Sequence, residues 1–131
     1  PLDEYPVYIR EGAIIPMNIE RAYTGLGDEN SRGYLTLLIY PANQNNFSIY
    51  HPNSELNTKV VLAETNDSLL IDLQGLKKAH IMRVHLSSKP QKVVLDNRIL
   101  SDSLDYQFSM ESNKLTIKTD DYSIGEYIII K

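Results

Sequence analysis

Apolar and polar residues alternate along most of this chain with a period of two, not the period of about 3.6 that marks a helix. In the opening stretch PLDEYPVYIREGAIIP, the alternation puts Tyr5, Val7 and Ile9 on one face of a strand and Tyr8 and Arg10 on the other. Glu11-Gly12 follows as a turn, and AIIP as a second short extended piece. Residues 17–33 form a polar loop with three Gly. YLTLLIYP, with Leu35, Leu37 and Ile39 on one face, is a strand. FSIY returns beside it across the turn ANQNN, which predicts a hairpin. HPNSELNT then breaks the pattern with Pro52 and several turn formers, and predicts a domain boundary at residues 55–59.

Beyond that boundary the segments KVVLAE, LLIDLQ, HIMRVHL, KVVLD, YQFSM, KLTIKT and EYIIIK are separated by turns such as TNDS, SSKPQ and ESN, with one more turn around Asn97. About seven strands with turn signals roughly every 8 to 12 residues predict a small antiparallel sandwich. The first half offers only about three or four strands, too few to bury much area alone. The expected fold class is therefore all-β, with two small antiparallel β-sandwich domains: residues 1–58 an incomplete proximal one, residues 59–131 a complete distal one. The opening is already strand-like by its fifth residue, whereas free N-termini are usually polar and frayed. The expectation is that further strands lie upstream.

Charge narrows the function classes. The formal net charge is −4 and the isoelectric point near 5.3, which argues against nucleic acid and against an anionic membrane surface as partners. No run of ~18 apolar residues is present to span a bilayer as a helix. With no Cys at all, disulfides, thiolate metal sites and a Cys nucleophile are excluded together.

Candidate chemistry is sparse. Neighbouring carboxylates such as Asp3-Glu4 and Asp120-Asp121 point to opposite faces if they lie in strands, and read as solvated turn groups. Of the three His, His80 and His85 are five apart, so on one strand they face opposite ways and do not share a metal; His51 stands apart from both. The lone G-x-G of GLGD, residues 25–28, has no strand before it and no helix after it, and reads as loop. Asn46-Phe47-Ser48 and Asn66-Asp67-Ser68 fit the N-glycosylation pattern, a match common by chance. Among the aromatics Tyr34, Tyr40, Phe47 and Tyr50, Phe47 groups with Ile49 toward a core and Tyr50 with Ser48 on the other face, which favours packing over a flat sugar-stacking row.

The residues Pro1, Leu2, Asp3, Pro6, Val7, Tyr8, Ile9, Arg10, Gly12, Ala13, Ile14, Ile15 and Pro16 fit a pattern like P-L-D-x-I/Y-P-V-F/Y-V/I-R-x-G-A-I-I-P. This closely resembles the segment of glycoside hydrolase family 31, the α-glucosidases and α-xylosidases, in which the chain leaves a catalytic (β/α) barrel and enters a β-sandwich. LTLLIYP and FSIY are similar to the family's next strand pair, so the resemblance covers residues 1 to 50 in sequence and the remainder in layout. One departure is clear. After Tyr50 the family usually has acidic residues and a Gly, whereas this chain has His51-Pro52-Asn53-Ser54.

The resemblance implies a parent enzyme that hydrolyses α-glycosidic bonds at non-reducing ends with retention, without a cofactor, through two Asp residues in the barrel. The nucleophile would lie in a D-M-N-E-like motif, which this chain lacks. No catalytic, cofactor or metal residue is therefore assigned here. Tyr8 and Arg10 are assigned to the barrel-facing side and Val7 and Ile9 to the sandwich core, with Arg10 suited to pair with a barrel carboxylate. The partners so implied are the barrel of the same polypeptide and, only through the parent enzyme, an oligosaccharide. Loop 17–33 is the candidate for rimming the active site or joining subunits of a homo-oligomer. The alternative is a non-catalytic carbohydrate-binding module, which an exposed aromatic platform would favour; a self-contained structural or adhesive sandwich is a third.

Overall fold

The computed structural model describes residues 8–17, 33–51, 54–76, 79–119 and 125–131. In chain order the strands are β1 (Ile14–Met17), β2 (Leu35–Ile39), β3 (Gln44–Ile49), β4 (Thr58–Glu64), β5 (Ser68–Gly75) and β6 (His80–His85), followed by β7 (Lys92–Leu95), β8 (Arg98–Ile99), β9 (Tyr106–Ser109), β10 (Lys114–Thr119) and β11 (Glu126–Ile130). No helix occurs among the described residues, as the period-two pattern predicts.

The strands form two sheets, ordered β1-β2-β6-β10-β9 and β3-β4-β5-β11-β7-β8. Alternate residues of each sheet point at the other. From the first come Leu37, Ile39, Met82, Val84, Leu115 and Ile117; from the second come Val60, Leu62, Leu69, Ile71, Val93, Leu95, Tyr127 and Ile129. All of them belong to one continuous buried cluster. Filling it removes mainly aliphatic side chains from water, at about 1.5–3 kcal/mol for each one fully buried.

Strands on both sides of the expected boundary at 55–59 share both sheets and this core. β2 pairs with β6, and β3 with β4. The structure thus gives one sandwich where the sequence pattern predicts two. Three strands alone cannot bury a two-sided core, and here β1–β3 bury theirs against strands from the second half of the same chain. The predicted hairpin of β2 and β3 is likewise replaced: the two lie in different sheets, and the chain crosses between them at residues 40–43, where Asn43 has φ +36°. Crossing lets Leu37 and Ile39 enter the core from one side and Ile49 from the other. β3 begins at Gln44, inside the expected turn ANQNN, because Gln44, Asn45 and Asn46 pair with Ala63, Leu62 and Val61. Not every ladder is antiparallel; β2 and β6 run parallel, with Leu35 beside His80 and Ile39 beside Val84.

Two turns show why their residues are where they are. β7 and β8 are joined by Asp96-Asn97 alone, both at positive φ (+45° and +68°), the backbone that a tight two-residue hairpin requires and that Asp and Asn tolerate. Gly75 ends β5 at φ +97°, and a Cβ there would lie 2.0 Å from the Asn57 carbonyl oxygen. Only Gly lets the strand approach residue 57 so closely.

Candidate functional site

The segment assigned to a barrel interface lies at the edge of the sandwich where β1 and β3 come together. Residues 8–10 have no regular structure, so the strand expected across Tyr5–Arg10 is absent over its described part; Val7 and residues before it lie outside the described residues. Tyr8 is 91% exposed and Arg10 is exposed. Ile9, expected in the core, is 38% exposed. The reason is that residues 8–10 pair with neither sheet, and a residue outside the ladder has no face directed inward.

The turn after Arg10 is held firmly. The Ala13 amide donates to the Arg10 carbonyl at 3.1 Å, closing it through Gly12 at φ +80°. The Gly12 amide donates to the Tyr40 carbonyl at 2.8 Å, the Tyr40 amide returns a bond to Ala13 at 2.9 Å, and the Asn45 side-chain amide donates to the Gly12 carbonyl. The turn is thereby fastened to the end of β2 and to β3. Between it and β3 opens a cleft of about 780 Å³, lined among others by Arg10, Glu11, Asn45 and Phe47. Phe47 does not reach the core as its alternation with Ile49 predicts: it is 40% exposed on this cleft, while Ile49 is buried. Among the described residues nothing closes the sandwich at this edge. No ion pair to Arg10 forms among the described residues.

A second cleft, of about 370 Å³, is lined by Glu11, Tyr40, Glu64, His85 and Lys131. The His85 ring stacks on Tyr40, with centroids 5.4 Å apart. Glu64 is committed to the Lys131 ammonium at 2.6 Å.

The His residues sit as their spacing predicts. His80 is buried and His85 exposed, on opposite faces of β6. His80 Nε2 shares a hydrogen bond of 2.7 Å with the Tyr127 hydroxyl, and His51 Nε2 one of 2.8 Å with Thr58 Oγ1. Among the described residues no group of His, Asp and Glu is placed to hold a metal. Tyr34 lies under the Lys118 ammonium at 4.5 Å, and Tyr50 is 78% exposed. Both glycosylation-pattern residues, Asn46 and Asn66, are exposed. Asp3-Glu4, Asp120-Asp121, GLGD and all of loop 17–33 except its two ends lie outside the described residues. The side-chain hydrogen bond from Lys89 to Asp102, and the charge of that carboxylate, raise the Lys89 pKa.

No protein-family model matches this sequence, and no curated protein matches it. Solved structures do. Over its whole length the chain is similar to a family 31 dextranase of Flavobacterium johnsoniae, with a TM-score of 0.74 and 19% identity. The likeness is one of fold: all of this chain superposes on one part of that dextranase. A cycloalternan-forming enzyme from Listeria monocytogenes is similar over 93% of this chain, with a TM-score of 0.74 and 22% identity. The chain spans only 20% of the family 31 dextranase and 13% of the cycloalternan-forming enzyme.

Proposed function

We propose that this chain is the C-terminal β-sandwich part of a family 31 glycoside hydrolase. The parent polypeptide cleaves α-glycosidic bonds with retention, in the manner of an α-glucosidase or α-xylosidase, through two carboxylates in its barrel. This part braces the barrel and is not itself catalytic. Tyr8 and Arg10 face the barrel, with Arg10 paired to a barrel carboxylate.

One observation carries the reading: the whole chain is similar to a fifth of a family 31 dextranase, and 93% of it to 13% of a cycloalternan-forming enzyme. The pattern at residues 1–16 agrees with it. Exposure of Tyr8 and Arg10, at an edge where the turn behind them is fixed by four hydrogen bonds, supplies a rigid place for a neighbour to dock. Burying an ion pair at such a junction is unfavourable unless geometry is good, and removing one partner is costly.

The test has two parts. The purified 131-residue chain should turn over neither aryl α-glucosides nor aryl α-xylosides, whereas a longer polypeptide containing it and a D-M-N-E-like motif should act on one of them. In that longer polypeptide, Arg10→Ala should lower the thermal midpoint. Turnover by the chain alone that survives repurification refutes the non-catalytic assignment, and a silent Arg10→Ala refutes the junction.

A further inference from the structure

The outer face of the first sheet carries a cluster of cations on an otherwise acidic protein. Leu115 and Ile117 of β10 point into the core, so Lys114, Thr116 and Lys118 point away from it. Strand register fixes their neighbours. Thr116 lies between Arg83 of β6 and Gln107 of β9; Lys114 lies between His85 and Ser109. Arg83 and Lys114 are thus diagonal neighbours on one face of adjacent strands, a spacing of roughly 7–8 Å between such backbone positions and within reach of long side chains.

Like charges placed together on a sheet repel unless something of opposite sign lies between them. Lys118 rests over the Tyr34 ring at 4.5 Å. Among the described residues Lys89 pairs with Asp102 and Lys131 with Glu64, and neither Arg83 nor Lys114 is in an ion pair. Both are only half exposed, so their charges are not simply dispersed into solvent.

Shape supplies the second, independent observation. A depression of about 300 Å³ lies on this face, lined by Arg83, Gln107, Ser109, Ser112, Lys114 and Thr116, with Phe108 at its side. Each of those six polar side chains can donate a hydrogen bond, and none is a carboxylate. Glu111, in the same turn as Ser112, is not part of the lining. Two cations and four neutral donors around one hollow are complementary to several closely spaced acceptor oxygens.

We propose that this face is a binding site for an oxyanion: a phosphate, sulfate or carboxylate group. Arg83 supplies a planar two-pronged contact, Lys114 a point charge, and the Ser109, Ser112 and Thr116 hydroxyls with the Gln107 amide the remaining donors. The proposal stands on this face alone and does not depend on the glycosidase reading. Its ligand is either the free ion or the same group carried on a sugar, and the two sources are separable.

Amide resonances of the 131-residue chain should be followed while inorganic phosphate, glucose 6-phosphate or glucose is added. Saturable shifts confined to Arg83, residues 107–112, Lys114 and Thr116 are the expected result with at least one of the two phosphates, and none with glucose. A response to both phosphates identifies the free ion as sufficient, and a response to the sugar ester alone makes the ring part of the ligand. Lys114→Gln and Arg83→Gln should each weaken binding about tenfold or more, the loss of a charge-assisted contact. Lys92→Gln, on β7 of the other sheet, should leave it unchanged. Absence of saturable shifts on this face, or shifts undiminished in both the Arg83 and Lys114 variants, overturns the proposal.

Discussion

His80 and Tyr127 join the two sheets through the middle of the core: Nε2 of one and the hydroxyl of the other are 2.7 Å apart, and the rings meet edge to face at 86°. His80 is 1% exposed and Tyr127 not at all. A polar contact inside an aliphatic interior fixes how the sheets slide relative to each other, because only one alignment satisfies it.

Tyr127→Phe should therefore cost about 1–3 kcal/mol, the usual range when a buried group loses its hydrogen-bond partner. The ring volume is kept, so the loss reports the hydrogen bond and not a cavity. Chemical denaturation of the two proteins measures it. An unchanged midpoint would show that the contact adds nothing.

Two glycines with similar backbone angles should behave differently. Gly33 has φ +83° and open space where a Cβ would be; Gly75 has φ +97° and the Asn57 carbonyl oxygen 2.0 Å from that point. Gly33→Ala should cost only the left-handed backbone penalty, about 1–2 kcal/mol. Gly75→Ala should cost clearly more, because β4 and β5 must part to admit the methyl group. Thermal melts of both variants side by side decide the ranking, and equal losses would contradict it.

A chain of residues 59–131 should not fold to a stable unit. Without β1–β3, the β6 edge loses its parallel partner, β4 loses its outer neighbour, and Leu37, Ile39 and Ile49 leave the core. Each large aliphatic deletion of this kind costs about 2–5 kcal/mol, against a total stability of about 5–15 kcal/mol for an ordinary domain. Amide NMR dispersion distinguishes the outcomes, and a well-dispersed spectrum from 59–131 would restore the two-domain division.

Lys89 and Asp102 provide a prediction about pH. The Lys89 pKa is raised in the folded chain, so any stability from the pair is complete below the ordinary Lys value of 10.5 and is lost as pH climbs through the raised one. The pair is solvent-exposed, where ion pairs contribute little. Asp102→Asn should return the Lys89 titration toward its ordinary value and leave the melting temperature at neutral pH unchanged. Heteronuclear NMR of the lysine side chain reads the first, calorimetry the second.

Strand existence was legible in this sequence because alternation survives wherever one face is buried. LLIDLQ and KLTIKT each show it, with Leu69, Ile71 and Leu73, and Leu115 and Ile117, directed inward. Gln44–Asn46 gave no such signal, since an edge strand exposed on both faces has no pattern to display. β8 is two residues long, too short for any period. Strand partnership was not legible. Alternation says which side chains share a face, not which sheet that face belongs to, and the nearest partner for β2 looked like β3 because hairpins are the commonest local solution. The oxyanion face was hidden for the same reason. Arg83 and Lys114 are far apart in sequence and become neighbours only when β6 lies beside β10.

The position of β11 has a consequence for biosynthesis. It lies between β5 and β7 in the second sheet, with Tyr127 beside both Ile71 and Leu95. A ribosome delivers the chain from its N-terminus, so β5 and β7 are made with the gap between them still empty. Until Glu126–Ile130 emerge, the second sheet exists as two unjoined pieces with open backbone edges and an exposed apolar face. Pairings this distant along the chain are slow to close. Nascent polypeptide that stalls before β11 should thus be a substrate for holding chaperones, and completion of those five residues the event that releases it.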